Sequence, residues 1–147
     1  MNGAKLNCEL CATPGGPVLW QDARCRVILV EEEGYPGYCR VIWNTHVAEM
    51  SDLDDTERGH CMAVVFAVER VLRAAMRPLK INIASLGNKV AHVHWHVIPR
   101  FRDDPHFPEP IWGVRQRAGV AQRSGAEPAA LAVALAAALA AALQNIR

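Results

Sequence analysis

A chain of 147 residues that is 51% hydrophobic is long enough to bury one sizeable core, and a single domain over residues 1–147 is the expectation. Sixteen basic residues against fifteen acidic ones leave a formal charge of +1, which excludes a general electrostatic attraction to nucleic acid or to an anionic membrane surface. Any anion site must therefore be local.

Met1 to Leu10 mixes polar and charged residues where a secretory signal needs an apolar run, so export is not expected. The five cysteines are an odd number, and Cys8 with Cys11 form a close pair rather than part of a disulfide framework. The expected compartment is a reducing cytoplasm. Pro14, Gly15, Gly16 and Pro17 make a turn, after which Val18 to Trp20 reads as a short strand and Cys25 to Val30 as a firmer one. Gly34, Pro36 and Gly37 turn the chain into a third strand, Tyr38 to Trp43, which pairs antiparallel with the second.

Asp54 followed three residues later by Glu57 resembles a capping box. It opens the main amphipathic helix, with Met62, Val65, Phe66, Glu69, Leu72 and Met76 at helical spacing. Pro78 ends that helix. Lys80 to Leu86 is then a strand, and Gly87 and Asn88 make a tight turn into another, Val90 to Ile98. Pro99, Pro105, Pro108 and Pro110 confine the next segment to an ordered loop or a tail. Leu131, Leu135, Leu139 and Leu143 recur every fourth residue in an alanine-rich run, so residues 126–147 form a helical extension that docks by its leucine stripe. That run is too short for a membrane span. The sum is an α+β fold, a mainly antiparallel sheet of about five strands with one principal helix and the C-terminal helix.

His92, His94 and His96 alternate with Val93, Trp95 and Val97. On a strand the three imidazoles share one face while the apolar residues pack on the core. A neutral imidazole is a nitrogen nucleophile near neutral pH and its protonated form stabilises anions, so neighbouring histidines can divide attack and charge stabilisation at phosphorus. Gly87 and Asn88 bring backbone N–H groups to where a phosphate can approach. The plainer alternatives are hydrogen-bonded strand histidines, or a metallohydrolase site held by the histidine face, which chelation discriminates.

The run His92-Val93-His94-Trp95-His96-Val97-Ile98 resembles the motif of the histidine triad family, and the trailing Pro99-Arg100 is similar to its dinucleoside polyphosphate hydrolase branch. The resemblance covers Cys8 to Arg100. It implies a homodimeric enzyme in which His94 attacks an α-phosphate to form a nucleotidyl-histidine, His92 and His96 orient it and contact phosphate oxygens, and Asn82, Gly87 and Asn88 line the nucleotide pocket. No cofactor is required for that chemistry. A nucleoside phosphoramidase and a non-catalytic nucleotide-binding or interaction protein are the alternatives. Tyr38 stands where the family often has histidine, and Lys89 where it often has serine. In zinc-bearing relatives an N-terminal cysteine pair is completed by two histidines, which here correspond to Cys8, Cys11, His46 and His92, a structural zinc site. Arg100 and Arg102 are read equally as guanidinium groups offered to a polyphosphate and as solvated surface charge. Trp112 is read as packing in preference to stacking on a base.

Overall fold

The computed structural model describes residues 5–120 and 122–146. The ends of the expected N-terminal segment and of the 126–147 extension therefore lie outside the described residues. In chain order the elements are α1 (Glu9–Ala12), β1 (Val18–Gln21), β2 (Cys25–Leu29), β3 (Cys39–Trp43), a 3-10 turn (Met50–Asp52), α2 (Asp55–Met76), β4 (Lys80–Ala84), β5 (His94–Arg100) and α3 (Pro128–Gln144). The five strands form one sheet in the order β1-β2-β3-β5-β4, every neighbouring pair antiparallel. The α+β expectation holds.

The register explains how the sheet divides its two faces. Arg26 pairs with Ile42, Ile28 with Arg40, Arg40 with His96, Ile42 with His94, and Ala84 with His96, so these side chains share one face. The alternate residues Cys25, Val27, Cys39, Val41, Trp43 and Val97 point the other way and are buried against α2 and α3. Sequence alternation thus puts the histidines on one side and the main core on the other.

Helix α2 begins as expected: Asp54 accepts from the Glu57 N–H at 2.8 Å while Glu57 accepts from the Asp54 N–H at 2.9 Å. It ends at Arg77, in the left-handed conformation, immediately before Pro78. Its buried stripe is rotated from the expected one. Cys61, Val64, Val65, Val68 and Leu72 face the sheet, and Phe66, one residue round the helix from Val65, is exposed. Pro128 occupies the first turn of α3, whose Leu131, Leu135 and Leu139 are buried against α2 and β1.

Two strand boundaries differ from expectation, and both matter. β4 stops at Ala84 and β5 starts at His94, so Ser85 to Val93 is a broad loop rather than a tight turn. At the other end β5 runs through Pro99 to Arg100. Proline is tolerated there because the Arg100 carbonyl accepts from the Leu79 N–H of the β4 side. By alternation the Pro99 nitrogen then faces past the end of β3, whose ladder stops at Cys39–Val97, and no bond is lost. No helix among the described residues is long and apolar enough to cross a membrane.

The α3 contact yields a direct test. Leu139→Ala, removing a fully buried side chain, is expected to lower unfolding stability by about 2–5 kcal/mol in urea titration. Val133→Ala, at an exposed position of the same helix, is expected to change it by less than about 0.5 kcal/mol. Equal effects would contradict the docking of the leucine stripe.

Candidate active site

His94 and His96 lie side by side on β5 with ring centroids 5.0 Å apart, both buried. His92 does not lie on the strand, contrary to the expectation of three imidazoles on one regular element. Its N–H turns back to the Val90 carbonyl at 2.9 Å, and the chain joins β5 two residues later. That turn sets the chemistry of all three rings.

A carbonyl oxygen only accepts, so each histidine nitrogen facing one must carry a proton. His94 Nδ1 lies 2.6 Å from the His92 carbonyl and donates to it, which leaves the His94 Nε2 lone pair free. His92 Nε2 lies 2.5 Å from the Trp43 carbonyl and donates to that, which leaves its Nδ1 as the acceptor. At His96 the arrangement is reversed. The Arg40 Nε–H, which can only donate, approaches His96 Nδ1 at 3.4 Å, and the Tyr38 hydroxyl donates to the same atom at 2.6 Å. The neutral His96 therefore carries its proton on Nε2. The pair presents a bare nitrogen and an N–H donor on one face.

Burial holds all three imidazoles below the ordinary histidine range, most strongly His96, which is pushed down to about 4 with help from His94 and Arg40. Arg40, half-buried and directly opposite His96, was not among the candidates from sequence, and Tyr38 entered only as the residue standing where the family often has histidine. An arginine inside a β-branched run reads as surface charge until the register turns it toward the histidines.

The other expected residues fall around this pair. Asn82 lies on β4, its Oδ1 accepting from Arg100 at 2.6 Å, so its amide N–H groups are what it retains for a ligand. Gly87 adopts φ 73 in the Ser85 to Val93 loop, a conformation glycine takes without strain, and Asn88 beside it is exposed. Arg100 is not available to a polyphosphate. It is buried in a fork to Asp104 at 2.8 and 3.0 Å and donates to the Glu109 carbonyl, pinning the proline-rich segment to the sheet. Trp112 lies edge-on to His96 at 4.9 Å and is about half exposed.

Cys8, Cys11, His46 and His92 converge, with their ligand atoms all within 4.8 Å of one another. His92 Nδ1 lies 3.4 Å from Cys8 Sγ and 3.5 Å from Cys11 Sγ, and His46 Nδ1 3.4 Å from Cys11 Sγ. The edges of a tetrahedral zinc site with thiolate and imidazole ligands are about 3.3–3.8 Å, so the donor set fits. Buried Arg26 holds this corner by donating to the carbonyls of Leu10 and Pro14 at 2.7 and 2.9 Å. The remaining cysteines, Cys25, Cys39 and Cys61, are fully buried, and burial raises each thiol, Cys61 to about 11. A second group, Asp22, Cys25 and His60, is accounted for by a His60–Asp22 hydrogen bond of 2.7 Å and an aspartate turn closing on the Cys25 N–H.

The model of the HIT domain matches residues 16–103, more than half of the chain. The chain belongs to the histidine triad family. It is 35% identical over 78 residues to a curated AP-4-A phosphorylase of Mycobacterium tuberculosis, an alignment that covers 49% of the chain and 40% of that protein. The chain thus spans well under half the length of that relative. Among solved structures, a histidine triad protein from Sinorhizobium meliloti matches with TM-score 0.67 and 24% identity over 84% of this chain and 90% of the other. A zinc-bound histidine triad family protein from Mycobacterium smegmatis matches with TM-score 0.60 and 23% identity over 95% and 97%. At such identities these two likenesses establish the fold.

The depressed His96 predicts a pH dependence of stability. The unfolded chain takes up a proton there near pH 6.5 and the folded chain only near 4, so between those values the unfolded state holds more protons. The contribution is complete above about 6.5 and is lost as pH falls toward 4. Urea midpoints across that window are expected to fall less steeply for His96→Asn than for the parent chain, and parallel curves would show that His96 is not held neutral.

Proposed function

We propose that this histidine triad protein is a nucleotide hydrolase or transferase acting at the α-phosphate of a dinucleoside polyphosphate or a related conjugate, with His94 as covalent nucleophile. The observation that carries the reading is the His94 Nδ1–H bond to the His92 carbonyl, which leaves Nε2 as a lone pair beside the His96 Nε2–H. The partial relative named for AP-4-A supports the substrate class.

In this reading His94 Nε2 bonds to the α-phosphorus as the bridging P–O bond breaks, and the leaving oxygen departs with the electron pair, accepting a hydrogen bond from His96 Nε2–H. The ring then carries a positive charge, and the His92 carbonyl that accepts its Nδ1–H stabilises that charge. Water or another acceptor attacks the nucleotidyl-histidine, displaces Nε2 and restores the neutral ring. Asn82, Gly87 and Asn88 are assigned to the nucleotide and its phosphate. The working form is taken as a homodimer, as the family resemblance implies, in the reducing cytoplasm that the cysteine usage suggests.

Zinc is assigned to Cys8, Cys11, His46 and His92 as a structural ion, supported by the fit of the donor set and by a zinc-bound relative of the same fold. A closed site of four protein ligands holds no position for substrate. Its bound ion would tie the N-terminal cysteines to His92 and fix the carbonyl that orients His94.

Quenched mass spectrometry with diadenosine tetraphosphate tests both assignments. The intact protein is expected to show one nucleotidyl adduct, absent from His94→Ala. A short chelator treatment is expected to lower the melting temperature while the adduct still forms in protein that remains folded. No adduct despite nucleotide binding would favour a binding protein, and loss of turnover in folded, chelated protein would favour a metallohydrolase.

A further inference from the structure

The proposed reaction leaves the charge of the phosphate chain unaccounted for. His94 Nδ1 is tied to the His92 carbonyl and His96 Nδ1 to Tyr38 and Arg40, and Arg100 is neutralised by Asp104 at 2.8 Å. Arg26, on the same face, donates to the carbonyls of Leu10 and Pro14, which leaves Arg40 as the cation beside the histidine pair among the described residues. Arg40 lies on β3, opposite His96 and diagonal to His94, and shares their side of the sheet. Its Nε is turned to His96 Nδ1 at 3.4 Å and its guanidinium carbon stands 5.6 Å from the Tyr38 ring centre. Among the described residues Arg40 forms no ion pair, and its polar neighbours are His96 Nδ1 and the Tyr38 hydroxyl.

A half-buried guanidinium with no carboxylate partner is suited to take up a ligand anion. Its charge lies next to the reacting pair, with Nε 3.4 Å from His96 Nδ1. Its place also decides which anion it serves. In the proposed reaction the phosphorus would lie between His94 Nε2 and the His96 Nε2–H, whereas Arg40 approaches the other nitrogen of the His96 ring, Nδ1. The terminal N–H groups are therefore set to meet oxygens further along the chain, where a guanidinium fork makes paired bonds to phosphate.

Resting on the proposed reaction, we infer that Arg40 is a specificity-determining residue that binds the phosphate chain beyond the α-phosphate, so the protein prefers substrates with several phosphates to single-phosphate phosphoramidates. As His94 Nε2 bonds to phosphorus and the P–O bond breaks, the departing oxygen keeps the electron pair, and Arg40 balances the charge of the chain that leaves. A phosphoramidate places no such chain over Arg40 and gains nothing from it.

The test compares kcat/KM for diadenosine tetraphosphate and for adenosine 5′-phosphoramidate in the intact protein, Arg40→Leu and Arg40→Lys. Inorganic tripolyphosphate serves as a competitor of phosphoramidate turnover. The ratio of the two kcat/KM values is expected to fall about tenfold or more in Arg40→Leu and to lie between in Arg40→Lys, with weaker inhibition by tripolyphosphate in both. A ratio within about twofold of the parent, with both substrates declining together, would overturn the inference, since Arg40 would then serve the α-phosphate or the fold. An intact protein that turns over neither substrate and forms no His94 adduct would remove the underlying reading, and the inference with it.

Discussion

The hydrogen bond from His94 Nδ1 to the His92 carbonyl, 2.6 Å long, is the contact on which the rest of the site depends. It exists because the chain leaves the regular strand at His92, where the N–H turns back to Val90 and the carbonyl turns toward the ring two residues on. Had β5 continued back to Val90, that carbonyl would have lain in the plane of the sheet as a ladder acceptor. The break in the strand thus fixes a tautomer, and the tautomer decides which His94 nitrogen keeps its lone pair. On the far side of β5, Val97 is wholly buried in the main core with α2 and α3, which gives the ring pair a rigid base.

His92 also links two parts of the molecule. Its carbonyl orients His94, its Nε2–H is held by Trp43, and its Nδ1 faces Cys8 and Cys11. The N-terminal segment is fixed to the same corner by Arg26, whose donors satisfy the carbonyls of Leu10 and Pro14. His92 thus joins the N-terminal corner to the His94 ring through its own backbone carbonyl. The opposite end of β5 is held in a comparable way by the buried Arg100–Asp104 pair, where the aspartate also accepts from the Phe101 and Phe107 N–H groups.

Much of this was legible from residue order. The capping box at Asp54, the leucine stripe of α3 and the antiparallel hairpins follow from local chemistry, and the Cys8, Cys11, His46 and His92 group came from the family resemblance. What escaped depends on register and on competition between contacts. Alternation from Val90 to Ile98 reads as one strand, and nothing local shows that Val93 bonds to Val47 and Trp43 while Val90 to His92 turn away. Pro99 seemed to exclude a strand, because only the length of β3 shows that its missing donor has no partner to lose. Phe66 fits a helical stripe in number but lies off the one that the sheet selects. Arg40 and Arg100 exchanged roles: the arginine next to the histidine motif became structural, and the one in a distant strand was brought by pairing to His96.

The most direct test of this account is the tautomeric state of the three rings, read by long-range nitrogen–proton NMR of histidine-labelled protein at neutral pH. The account predicts His94 with its proton on Nδ1 and His96 with its proton on Nε2, while His92 is protonated on Nε2 with its Nδ1 as the acceptor. A His94 ring protonated on Nε2, or on both nitrogens, would have no lone pair facing a substrate and would contradict it.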